Sequence, residues 1–141
     1  MFSLDQLNAD VTIVGCQSGT IPAMYNSVGQ LPLAQIEFLL GSNPDIVILC
    51  VNIYDDFEYI RRTVKTIENL VETQVVALAL SKMTFPENWQ TMRGKSVVAS
   101  DEQLDKFKVM LKTEFNLSAF VIGVEEDLEG LIDICIDSLG E

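Results

Sequence analysis

Apolar positions along this chain fall into two rhythms. Four runs, Val11 to Gly15, Ile46 to Val51, Gln74 to Leu80 and Ser118 to Val124, are apolar at nearly every position. Runs this short and this rich in Val and Ile predict strands covered on both faces, as a parallel sheet requires. Ile46-Val47-Ile48-Leu49-Cys50-Val51 has no polar residue at all and is expected at the sheet's centre. Between and after the runs, apolar residues recur at helical spacing instead. Leu33, Ile36, Leu39 and Leu40 form one such set, Phe57, Ile60, Val64, Ile67 and Val71 a second, and Leu104, Phe107, Leu111 and Phe115 a third. Leu128, Leu131, Ile132, Cys135 and Leu139 form the last. Each set predicts a helix that buries one stripe.

The punctuation between these segments agrees with them. A helix from about Leu31 to Leu40 would carry Pro32 in its first turn and Gly41 as its C-terminal cap, before Ser42-Asn43-Pro44-Asp45 stops it. Asp55 or Asp56 can cap the next helix, and Ser100-Asp101-Glu102-Gln103 is a capping-box pattern. Glu125-Glu126-Asp127 place acids where a helix dipole favours them. Ser81 to Ala99 has no clear period and reads as a long loop, the kind that often serves function. Strand and helix therefore alternate throughout. Right-handed crossovers make this one α/β domain over residues 1–141, a Rossmann-like three-layer sandwich: a mainly parallel four-stranded sheet with helices on both faces.

Composition narrows the chemistry. With 141 residues and 48% hydrophobic content the chain can build a real core. Nine Lys and Arg against 21 Asp and Glu give a net charge of −12. That balance argues against nucleic acid and anionic membrane, which both need clustered cations. No apolar stretch reaches the length of a membrane span, and the start Met1-Phe2-Ser3-Leu4-Asp5 lacks the charge of a signal peptide. Cys16, Cys50 and Cys135 form no CxxC pair, as expected for free thiols in a cytoplasmic protein, with Cys50 and Cys135 in the core. There is no histidine, so Ser-His and Cys-His dyads are excluded outright.

Candidate site residues gather at predicted strand ends, where open α/β sheets bind ligands. The loop Gly15-Cys16-Gln17-Ser18-Gly19-Thr20 follows the first apolar run and could offer backbone N–H groups and hydroxyls to an anion, or could merely turn sharply. Asn52, with Asp55 and Asp56, follows the second run and could meet a metal or a ribose, although capping is the commoner task of such aspartates. Lys82 follows the third. With Arg93 and Lys95 it gives the local positive potential that a phosphate or carboxylate would seek. Trp89 could stack on a ligand or partner, or pack on the sheet.

Val14-Gly15-Cys16-Gln17-Ser18-Gly19, then Pro22, then Leu39-Leu40-Gly41-Ser42-Asn43-Pro44-Asp45 leading into Ile46-Val47-Ile48-Leu49-Cys50 together resemble the back half of P-loop proteins related to dethiobiotin synthetase. More narrowly, the chain resembles the C-terminal domain of peptide-maturation-system proteins that accompany radical enzymes. The resemblance implies a ligand loop at Gly15–Thr20. Gly15 stands where the NTPase relatives carry a Mg²⁺-orienting acid, and the chain holds no Walker A loop. The expectation is therefore a non-catalytic accessory module that binds a small anionic ligand or a protein partner in peptide maturation. The alternative is half of an NTP-binding enzyme, completed by an upstream segment or a second subunit. Uncovered sheet edges would also let the chain pair with itself as a homodimer.

Overall fold

The computed structural model describes residues 10–16, 19–22, 33–85 and 94–140. Gln17, Ser18, Trp89 and Arg93 lie outside these, as do Leu31 and Pro32 at the predicted start of the first helix. The elements are α1 (Leu33–Ser42), β1 (Ile46–Val51), α2 (Phe57–Leu70), β2 (Gln74–Leu80), β3 (Met83–Thr84), β4 (Val97–Val98), α3 (Asp101–Phe115), β5 (Ser118–Val121) and α4 (Glu125–Leu139). Local chemistry sets their ends. The Asp56 carboxylate accepts from the Glu58 amide at 2.7 Å to cap α2. Ser100 and Gln103 form the expected reciprocal capping box on α3. Asn116, in the left-handed region at φ 57°, ends that helix. Helix α1 runs through Gly41, and the left-handed turn that Gly41 was expected to make falls instead on Asn43, whose amide reaches the Leu39 carbonyl at 3.1 Å.

Among the described residues the sheet has three parallel strands in the order β1-β2-β5, beside a separate antiparallel pair, β3 with β4. Two expectations are corrected here. Val11 to Gly15 is not a fourth strand: it takes no strand conformation, pairs with no strand among the described residues and is exposed, Ile13 at 93%. A β-branched run becomes a strand only where a neighbour completes its hydrogen-bond ladder, and intrinsic preference cannot supply that neighbour. Among the described residues the centre of the sheet is β2, and β1 is an edge. The loop expected over Ser81 to Ala99 holds the short β3–β4 ladder, in which Met83 faces Val98 and Thr84 faces Val97.

Register sorts the side chains onto two faces. Leu49 pairs with Leu78 and Val51 with Leu80, and Leu78 and Leu80 pair in turn with Ala119 and Val121. These six share one face and pack under α2 and α3, against Ile60, Ile67, Leu104, Phe107 and Leu111. Phe57 of α2 meets Phe107 and Phe115 of α3 with ring centroids 5.7 and 5.8 Å apart, so the two helices touch. Leu39 brings α1 to this same core.

The other face is covered differently. Ile48 pairs with Ala77 and Cys50 with Ala79, and these pair on with Ser118 and Phe120. Helix α4 lies here, with Gly130 so near the Phe120 ring that a Cβ would fall 2.9 Å from it. No residue of α4 is fully buried. Leu131, Ile134 and Cys135 are half-buried toward the sheet, whereas Leu128, Ile132 and Leu139, expected in the buried stripe, are exposed. Cys50, expected in the core, also reaches solvent. Its apolar surroundings nonetheless push its thiol pKa up.

Candidate functional site

Strand β1 delivers Asn52 to the C-terminal edge of the sheet, and there it is completely buried, at 0% exposure. Its side-chain nitrogen donates to the Met83 carbonyl at 3.0 Å. Its oxygen accepts from the Thr84 hydroxyl at 2.9 Å and the Tyr54 amide at 3.3 Å. The Asp55 carboxylate caps the backbone from below, accepting from the Asn52 amide at 2.7 Å. Asn52 thus fastens the end of β1 to strand β3, thirty-one residues away. Every polar atom of its side chain is committed to that junction. Asn at this point satisfies one acceptor and two donors that no apolar residue could serve in a buried place.

Beyond it, Ile53 and Tyr54 turn toward the first half of α3. With Gln103, Lys106, Phe107 and Met110 they line an open depression of about 190 Å³. The four α3 residues fall at i, i+3, i+4 and i+7, one face of the helix. Phe107 forms a floor continuous with the core, while Tyr54 and Met110, 45% and 42% exposed, rise at the rim.

A second polar junction stands at the same edge. Asp127, in the first turn of α4, accepts from the Val121 amide at 2.6 Å and from Lys108 of α3 at 2.9 Å through both oxygens. Burial pushes its carboxyl up, but the hydrogen bonds from Lys108 and Val121 and the charges of Lys108 and Lys82 outweigh that and hold it below the ordinary carboxylate range. Asp127 ties the ends of β5 and α4 to α3. It does more than place an acid where the helix dipole favours one.

The predicted site residues are only partly brought together. Asn52 and Lys82 do share the sheet edge, where the Lys82 carbonyl takes the Ala99 amide at 2.9 Å. The Gly15–Thr20 loop does not follow a sheet strand. Its thiol, Cys16, donates to the Gln35 side chain of α1. Gly19 abuts Tyr59, whose hydroxyl would sit 2.9 Å from an added Cβ. Just past the loop, the Ile21 and Pro22 carbonyls accept from Tyr59 at 3.5 Å and Arg62 at 3.1 Å. Helices α1 and α2 hold this segment, and among the described residues no hydrogen bond joins it to Asn52 or Lys82. Thr84, Asp127 and the depression residues were not singled out as site residues from sequence. Asp127 carried a signal, a carboxylate six residues past the end of β5, but its partner Lys108 is nineteen residues away and only the fold joins them.

Among the described residues no group of three or more Cys, Asp or Glu side chains is arranged to hold a metal ion. No helix among them is long and apolar enough to cross a membrane. No family model, no curated protein and no solved structure matches the chain.

Proposed function

We propose that this chain is a non-catalytic α/β module that binds a protein partner, as an accessory domain in peptide maturation. The observation that carries the reading is how the sheet's C-terminal edge uses its polar groups. Asn52, Asp55 and Asp127 all serve internal junctions. What the edge offers outward is the open depression rimmed by Tyr54 and Met110. At about 190 Å³ it is smaller than the ~300–1,000 Å³ clefts that enclose small ligands. Tyrosine and methionine on an open rim suit a partner's side chain better, since both are enriched in protein interfaces. The peptide-maturation setting rests on the resemblance between Val14 and Val51 alone.

A photo-reactive residue replacing Tyr54, in the native host, is expected to give one discrete protein adduct that Met110→Asp abolishes. Nucleotide hydrolysis by the purified chain, lost on Gly19→Val, would overturn the reading. The alternative of a divided NTP site has less support, because the glycine loop leans on α1 and α2 and does not issue from a strand of the sheet. Heat on titrating ATP with Mg²⁺ into the chain would restore it.

A further inference from the structure

The face of the sheet under α4 is half covered, and its uncovered half has a definite shape and charge. Leu128, Ile132, Ile136 and Leu139 fall at i, i+4, i+8 and i+11 and make one stripe along α4, each 45–63% exposed. Ile48 and Cys50 of β1 are exposed on the same face of the sheet. Their relation to the stripe follows from handedness. Helices α2 and α3 share one face, so both crossovers from β1 to β2 to β5 have the same hand, and parallel β-α-β crossovers are right-handed as a rule. Helix α4 leaves the C-terminal end of β5 and runs back across the opposite face, with Leu131 and Ile134 toward the sheet. A right-handed helix running that way turns the Leu128–Leu139 stripe toward β1. Gly130, on the opposite flank, meets Phe120 of β5, as this orientation demands. The result is a shelf, floored by Ile48 and Cys50 and walled by the α4 stripe.

Its rim is acidic. Helix α4 contains Glu125, Glu126, Asp127, Glu129, Asp133 and Asp137 and no Lys or Arg. Asp127 is taken by Lys108, and among the described residues the other five make no ion pair. Glu129, Asp133 and Asp137 each follow a stripe residue by one position, so they line the crest beside it.

We propose that this shelf docks a partner's amphipathic helix with a cationic flank. The inference rests on the reading of the chain as a partner-binding module but concerns the other face of the sheet, so either surface can fail without the other. Size fits a helix: the six residues of β1 extend about 20 Å, matching roughly thirteen residues of helix laid beside α4. Charge selects its kind. A second copy of this chain would bring another −12 and another acidic crest to the shelf, whereas Lys or Arg on the incoming helix would find five unpaired carboxylates.

The test uses a fifteen-residue helical peptide with leucines at i, i+3, i+4 and i+7 and lysines flanking them, titrated into the full chain by fluorescence anisotropy. A peptide with glutamates in place of the lysines is the control. The lysine peptide is expected to bind, about fivefold more weakly when salt rises from about 50 to about 500 mM. Ile132→Ser/Ile136→Ser should weaken it about tenfold or more, and Glu129→Gln/Asp133→Asn severalfold. Unchanged thermal unfolding would show that these variants fold, as expected for exposed positions. Equal binding of the glutamate peptide, or full affinity in the Ile132→Ser/Ile136→Ser variant, overturns the proposal. So does concentration-dependent dimerisation in sedimentation that the same variant abolishes, which would make a second copy the occupant. Loss of the Tyr54 adduct with the shelf still binding would remove the edge reading alone.

Discussion

Replacing Asn52 by alanine isolates the junction at the sheet edge, and its cost can be worked from the contacts. Three hydrogen bonds end on the Asn52 side chain: to the Met83 carbonyl, from the Thr84 hydroxyl and from the Tyr54 amide. Their losses are unequal. The Met83 carbonyl keeps a second donor, the Ser81 hydroxyl at 3.1 Å. The Tyr54 amide belongs to an exposed residue and can turn to water. The Thr84 hydroxyl is 1% exposed and has no such recourse. Orphaning a buried hydroxyl costs about 1–3 kcal/mol, and each ordinary bond lost about 0.5–1.5. Asn52→Ala should therefore destabilise by about 2–4 kcal/mol, a large share of the ~5–15 kcal/mol that holds a domain together. Thr84→Val removes the donor itself and should cost less. Because the two side chains share one bond, the double variant should fall short of the sum by about 1 kcal/mol. Urea unfolding at constant m-value measures all three. A cost below about 0.5 kcal/mol for Asn52→Ala, or strict additivity with Thr84→Val, would refute the role of Asn52 as a clamp and return it to the candidates for ligand contact.

Asp127 makes stability depend on acid. Its folded pKa is depressed, so its contribution is full above the ordinary carboxylate pKa and is lost as pH falls through the folded value; Asp127→Asn should flatten that acid limb of the unfolding curve and leave its slope near neutrality unchanged. Gly130→Ala would gain about 0.5–1 kcal/mol in an isolated helix. Here the added Cβ strikes the Phe120 ring at 2.9 Å, so a lower melting temperature is expected, recovered in part by Phe120→Leu. Ile13→Ser should change stability by less than about 0.5 kcal/mol, because the side chain is almost wholly exposed. A larger loss, by thermal melting, would mean that the Val11–Val14 run packs on the domain.

What could be read from sequence was whatever a local pattern determines. The helical sets at Phe57–Val71 and Leu104–Phe115 bury the residues their spacing singled out, and the Ser100–Gln103 box forms as written. The three apolar runs that found neighbours became the parallel strands. Val11–Gly15 has the same composition and no ladder, so composition alone could not separate it from them. Strand position was equally hidden. A run apolar at every position reads as central, yet among the described residues β1 is an edge, and its residues Ile48 and Cys50 are left uncovered. The last helix misled for a related reason: its apolar residues span more than one stripe, and spacing does not say which stripe meets the sheet. At the site, Asn52 and Lys82 both lie just past the C-terminal ends of sheet strands. Thr84, the partner of Asn52, and Lys108, the partner of Asp127, come from segments that only tertiary packing brings near.

The acidity of the chain and its uncovered face are best understood together. An apolar shelf in a neutral protein invites self-association, because two copies can bury the same surface against each other. A charge of −12 opposes that encounter at every approach, and the five unpaired carboxylates of α4 oppose it most strongly at the shelf itself. Repulsion of this kind costs the monomer little, since the carboxylates stand in water. It discriminates by sign, because the field that holds a second copy away draws in a cationic helix of the same hydrophobic content. An exposed stripe beside an acidic crest thus combines a general adhesive with a specific filter. The two contributions separate experimentally, since salt weakens only the filter and serine at Ile132 and Ile136 only the adhesive.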